Sequence, residues 1–142
     1  MSDTLVTKLS KRECFTLNEF DNIKTASEKL QRHNVGAMPV LSKQNNDLIG
    51  IVSERDLARF IFKDEFKNDL SITEIMTKQI ITCNLNTSVT ELMEMLINNK
   101  IRHIPIVEGK KILGIISIGD VVNHIIEQYR NENKYLKDYI KL

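Results

Sequence analysis

Two prolines, two cysteines and five glycines are all that 142 residues offer of the types that staple or break a chain, and tryptophan is missing. Cys14 and Cys83 show no Cys-x-x-Cys spacing and fall at different places in the repeat described below, so both read as reduced thiols of an intracellular protein. No apolar run approaches the roughly 20 residues of a membrane span, and the polar start Met1-Ser2-Asp3-Thr4 is unlike a signal peptide. A cytoplasmic location is expected. An excess of one charge is also lacking: the formal net charge of +1 argues against a nucleic-acid or membrane surface, since those partners leave a basic surplus. Gly-x-Ser-x-Gly, the P-loop and Gly-x-Gly-x-x-Gly are all absent, so no enzyme is expected. His33 and His124 have no companion at metal-ligand spacing and read as ordinary helix residues.

What the chain does contain is a repeat. Gly50-Ile51-Val52-Ser53-Glu54-Arg55-Asp56 returns as Gly114-Ile115-Ile116-Ser117-Ile118-Gly119-Asp120, and each copy lies between short apolar runs. That order reads strand, turn, helix start. Pro39 and Pro105 lie 66 positions apart, whereas Asp56 and Asp120 lie 64 apart. The difference falls between Ser42–Asp47 and Glu108–Lys111, where a loop absorbs it. So long a period implies two copies of one small unit rather than a solenoid.

In the first unit Ile23, Ala26, Leu30 and Asn34 follow helical spacing; in the second, Val89, Leu92, Met93, Leu96 and Ile97 form one stripe. Met93 and Met95 are assigned to the core or its margin. Each helix leads to an apolar run holding a proline, Ala37–Leu41 and His103–Val107, which proline confines to an edge strand or strand end. With leading strands near Cys14–Leu17 and Ile80–Cys83, each unit reads strand, helix, strand, strand, helix. The expected boundaries are 4–62 and 72–127 for the units, 63–71 for a polar connector and 128–142 for a helical extension. Ser71–Thr77 reads as a short helical lead-in to the second unit.

A strand running into Ser-x-x-Asp places a hydroxyl and a carboxylate in the first turn of a helix, beside unpaired N–H groups and a positive dipole end. A phosphate suits that place, and an acceptor-only carboxylate suits vicinal hydroxyls, so ribose plus phosphate would satisfy both side chains. Helix capping alone is the other reading, weakened by the motif's recurrence in the same context.

The paired motifs, Val35-Gly36-Ala37-Met38-Pro39-Val40 with Gly50–Asp56 and Ile101-Arg102-His103-Ile104-Pro105-Ile106 with Gly114–Asp120, resemble a tandem of cystathionine beta-synthase (CBS) domains, a Bateman module. Glu74-Ile75-Met76-Thr77 is similar to the segment that precedes many second repeats. The resemblance spans about Thr4 to Glu127. It implies an α/β (α+β) fold of two β-α-β-β-α units about a pseudo-two-fold axis, with two clefts that in the family take AMP, ADP, ATP, S-adenosylmethionine or NAD. Carried over, Asp56 and Asp120 would hold ribose hydroxyls, Ser53 and Ser117 phosphate, and the backbone by Ala37-Met38-Pro39 and His103-Ile104-Pro105 the adenine edge. Thr16 and Thr82 are the matching floor positions, for which plain β-propensity is an equal explanation.

The sites are expected to be unequal. Arg55 corresponds to Gly119, and Arg102-His103 to Gly36-Ala37, so Arg55, Arg102 and His103 either gather on one polyphosphate or serve two anions. After Asp120 the chain runs helical to about Ile140, with Val122, Tyr129 and Leu136 at seven-residue intervals, Ile125 and Tyr139 at the complementary positions, and Ile126 and Ile140 beside them. This strip suits a homodimer; folding back on its own module is the alternative. The functional expectation is a regulatory sensor of energy or redox state, binding an adenosine nucleotide and read by a further protein. A ligand-free dimerisation module is the rival reading. A nucleic-acid regulator is weaker, because a helix-turn-helix beginning at Thr25 would run its recognition helix through Pro39.

Overall fold

A computed structural model describes residues 4–63 and 69–140, leaving outside it most of the expected connector and the side chains of Tyr135, Leu136, Asp138 and Tyr139. The order is α1 (Leu5–Ser10), β1 (Leu17–Asn18), α2 (Ile23–His33), β2 (Ala37–Leu41), β3 (Leu48–Ser53), α3 (Glu54–Phe62), a 3-10 turn (Ile72–Glu74), α4 (Val89–Asn99), β4 (His103–Glu108), β5 (Lys111–Ser117) and α5 (Ile118–Ile140). The repeat is visible in the helix ends. Asn22 caps α2 by accepting from Thr25 N–H, Ser88 caps α4 by accepting from Glu91 N–H, and the two helices stop at Asn34 and Lys100 in left-handed conformations with φ of 53° and 52°. Asn34, expected to continue the helical stripe, is thus its stop.

The first unit's sheet runs β1-β2-β3 and the second pairs β4 with β5. Leading strands expected over four residues each are shorter: β1 pairs with β2 only at Leu17 and Asn18, and its counterpart is a single bridge between Cys83 and Ile106. Thr16 and Thr82 accordingly sit just before the pairing, half-buried. The prolines lie within β2 and β4, opposite Ile51 and Ile115. Ile51 exchanges both backbone hydrogen bonds with Thr77 (3.0 and 2.9 Å), so its polar edge faces away from β2. Pro39 therefore needs no N–H toward β3, and its missing donor faces the side that β1 pairs only from Val40 onward.

Each unit has its own core. Leu17, Ile23, Ala26, Leu30, Met38, Val40, Val52, Leu57 and Ile72 form the first; Leu5, Val6, Cys83, Leu92, Leu96, Ile104, Ile106, Ile116 and Val121 form the second. Core membership does not follow the boundaries along the chain. Leu5 and Val6, which open the first repeat's span, lie in the second core, while Ile72, which opens the second repeat's span, is fully buried in the first. Each repeat's lead-in segment is thus packed on the other unit.

Two glycines make that exchange possible. A β-carbon at Gly114 on β5 would stand 3.1 Å from the Leu9 carbonyl oxygen and 3.3 Å from Ser10 Cα, and one at Gly50 on β3 would collide with the Met76 thioether. In α4, Leu92 and Leu96 are buried with Met95 packed against them, whereas Met93 and Ile97 are 38% and 67% exposed. The core-facing stripe is therefore narrower than the apolar stripe of the sequence. Among the described residues no helix is long and apolar enough to cross a membrane.

Candidate functional site

Both Ser-x-x-Asp motifs form reciprocal helix caps. At α3, Asp56 N–H donates to Ser53 Oγ (3.2 Å) while Ser53 N–H and Oγ donate to Asp56 Oδ2 (2.9 and 3.0 Å). At α5, Asp120 N–H donates to Ser117 Oγ (3.1 Å) and Ser117 N–H to Asp120 Oδ2 (2.8 Å). The first helical N–H of each is also taken, Glu54 by the Gly36 carbonyl (2.9 Å) and Ile118 by the Arg102 carbonyl (2.8 Å). Capping is thus a real function of these residues, and the helix ends are less open to an anion than an uncapped terminus would be. The carboxylates differ in what remains.

Asp56 keeps one oxygen nearly uncommitted: among the described residues its Oδ1 has only a 3.4 Å contact from the Thr77 hydroxyl. Around it lies a cleft of about 460 Å³ between the units. The α3 motif supplies Ser53, Arg55 and Asp56, the first hairpin Ala37, and the second unit Arg102, His103 and Pro105. Arg55, Arg102 and His103 therefore share one cleft. Arg59 and Lys100 join them, so that among the described residues four cationic side chains, Arg55, Arg59, Lys100 and Arg102, stand against Glu54 and Asp56. Arg55 Nη1 reaches across to the Lys100 carbonyl at 3.2 Å, tying the first unit's motif to the end of α4.

His103 packs on Gly36, where an added β-carbon would lie 3.0 Å from its ring. Burial pushes its pKa below the ordinary histidine value, against the opposing pull of the Glu54 and Asp120 carboxylates. The backbones beside it are held rigidly, since Met38 and Ile104 send fully buried side chains into the two cores and Pro39 and Pro105 are themselves buried.

The counterpart carboxylate is engaged. Arg12, just beyond α1, donates from Nη1 to Asp120 Oδ1 (3.0 Å) and from Nη2 to Oδ2 (2.7 Å), and Nη2 also reaches the Ile115 carbonyl (2.8 Å). Burial would raise the Asp120 pKa, but the hydrogen bonds from Arg12 and Ser117 outweigh it and hold the group below the ordinary carboxylate range. Gly119 is exposed in the first turn of α5, where an added β-carbon would lie 3.6 Å from Ser117 Oγ. Asp120, Ser117 and Gly119 do not line the Asp56 cleft, nor do Thr16, Thr82, Met38, Pro39 and Ile104.

Sequence reasoning missed Arg12, Arg59, Lys100 and Thr77. Arg59 was detectable, lying one helical turn beyond Arg55 on the same face. Arg12 carried no such signal, for its partner is 108 positions away. Among the described residues no group of three or more His, Cys, Asp or Glu is placed to hold a metal ion.

Comparison with known proteins agrees with the two-repeat fold. The CBS domain family matches at residues 6–63 and again at 72–127. A mitochondrial CBS domain-containing protein of Arabidopsis thaliana is 34% identical over 125 residues, 85% of this chain and 61% of the relative, so the chain spans about three-fifths of that protein's length. The crystal structure of a CBS-domain-containing protein from Agrobacterium tumefaciens superimposes with a TM-score of 0.77 at 31% identity, covering 84% of this chain and 94% of that one. A CBS domain protein from Pyrobaculum aerophilum, solved in complex with AMP, gives 0.74 at 26% identity over 80% and 86% of the two chains. Two matched repeats, their shared caps and the two-core fold lead to one conclusion: the chain belongs to the CBS domain family and carries a tandem pair of its repeats.

Proposed function

We propose that the chain is a regulatory nucleotide sensor whose Asp56 cleft takes an adenosine nucleotide. The carrying observation is a carboxylate with a nearly free oxygen beside four cationic side chains in one cleft of about 460 Å³, a volume within the range of small-molecule sites. Asp56 Oδ1 receives a ribose hydroxyl, and the fixed backbone by Ala37 and His103 faces the base. Arg55, Arg59, Lys100 and Arg102 meet the phosphates. Ser53, whose hydroxyl is committed to the cap, acts by holding Asp56 in place rather than by reaching phosphate itself. The AMP complex of the Pyrobaculum aerophilum relative supports the adenosine class.

The cationic majority ranks the ligands. ATP and ADP are favoured over AMP and NAD, and all of them over S-adenosylmethionine, whose sulfonium adds positive charge where there is already an excess. Binding transmits a signal only if it favours one arrangement of the units over another. Arg55 and Lys100, joined across the cleft, are the elements placed to feel it. The sensor acts as a homodimer read by a regulated protein. Supporting the dimer are Val122, Ile126 and Tyr129 of α5, which are 46%, 41% and 65% exposed. The same residues favour the second reading, a ligand-free dimerisation module.

The test is a thermal-shift series with AMP, ADP, ATP, NAD, NADH and S-adenosylmethionine, followed by calorimetry. A ligand at about a hundred times its Kd adds roughly 2.7 kcal/mol to the native state. Stabilisation in the order given supports the sensor; no shift with any of the six moves the function to dimerisation alone.

A further inference from the structure

The two lead-in segments end at equivalent places with different chemistry. The segment crossing Gly50 delivers Thr77, which approaches Asp56 at 3.4 Å, and the segment crossing Gly114 delivers Arg12, which takes both oxygens of Asp120. A guanidinium fork on a carboxylate matches it in shape and charge, and it fills the acceptor positions that a ribose diol would need. Leu5 and Val6 anchor α1 in the second core, so Arg12 starts from a fixed base only a few residues away. Its own side chain is 44% exposed, which leaves it room to withdraw.

We propose that Arg12 decides whether the Asp120 carboxylate can take a ribose: bound to both of its oxygens it bars a ribose there, so the Asp56 cleft fills first and Asp120 is reached only as Arg12 is displaced. This rests on the adenosine-nucleotide reading above. It explains why two motifs with the same caps yield unequal sites, and it assigns a ligand-gating role to a residue outside both motifs. Nucleotide entry at Asp120 frees the end of α1, so occupancy at Asp120 is coupled to the position of the N-terminal helix. The Asp120 carboxylate in turn acts on His103, which borders the first cleft.

Two measurements separate the failure of this inference from the failure of the nucleotide reading. Without ligand, the Asp120 carboxyl carbon is titrated by NMR in the native chain and in Arg12→Ala, and its pKa is expected to rise in the variant. Identical titrations overturn the contact in solution. With ATP as the probe, calorimetry compares Asp56→Asn with Asp56→Asn/Arg12→Ala, so that the Asp120 site is read against an equally weakened first cleft. Removing an exposed but bidentate competitor is expected to strengthen ATP binding there by up to about fivefold. Unchanged or weaker binding shows that Arg12 is a spectator or a phosphate ligand and overturns the proposal while leaving the first cleft's role intact. Absence of binding to the native chain by ATP and by each of the other five ligands overturns the nucleotide reading, and the occupancy claim with it.

Discussion

Replacing Asp56 and Asp120 separately with alanine separates their roles, because the same substitution removes different things at the two sites. At position 56 it removes a cap acceptor and the oxygen assigned to ribose. Losing the cap costs about 1 kcal/mol, which for a chain of this length lowers Tm by about 3 °C. Losing a hydrogen bond to a charged acceptor costs about 1.5–3 kcal/mol of binding, or about 10- to 100-fold in the Kd for ADP.

At position 120 alanine again removes a cap acceptor but also leaves Arg12 without its carboxylate. Since Arg12 is 44% exposed and can turn to water, the pair adds no more than about 1 kcal/mol to the loss of stability. The larger drop in Tm is therefore expected in Asp120→Ala and the larger drop in first-site ADP affinity in Asp56→Ala. Calorimetric titration and scanning calorimetry on both variants provide the comparison. Equal affinity losses, or native affinity in Asp56→Ala, would refute the assignment of the first-filled cleft to Asp56.

Two further outcomes are expected. His103 has a folded pKa below its unfolded value, so the unfolded chain binds more protons: stability is full above about pH 6.5 and falls as the pH drops toward the lower folded value. Thermal melts between pH 8 and pH 5 should show this loss diminished in His103→Gln, and an unchanged profile would remove the buried neutral imidazole from the account. Ending the chain after Gln128 removes the exposed Tyr129 and the rest of α5; sedimentation should then shift toward monomer, and an unchanged dimer places the interface on other exposed apolar residues, such as Met93 and Ile97 of α4.

The features legible in the sequence are those written over short separations. Ser-x-x-Asp is a three-residue relation, and both of its caps form because the atoms that meet are neighbours on one helical turn. The long α5 follows similarly from a run that, from Asp120 onward, has no glycine or proline. The α4 stripe was legible only in outline. Val89, Leu92 and Leu96 face the core, but whether the flank turned inward is Met95 or the pair Met93 and Ile97 depends on how the helix is rolled on its sheet, which periodicity leaves open. Leu136 and Tyr139 of the C-terminal strip lie outside the described side chains.

By itself the sequence determined that there are two units, that each presents a capped carboxylate at a strand-to-helix junction, and that the basic residues are unevenly divided between them. Only the tertiary structure decided which charges meet. It gathered Arg55 and Arg59 of one unit with Lys100 and Arg102 of the other around Asp56, and it set Arg12 on Asp120. The physical reason is distance along the chain. A cap forms within one turn wherever the helix forms, whereas the Arg12 pair exists because α1 packs into the second core and Gly114 lets its end lie close against β5.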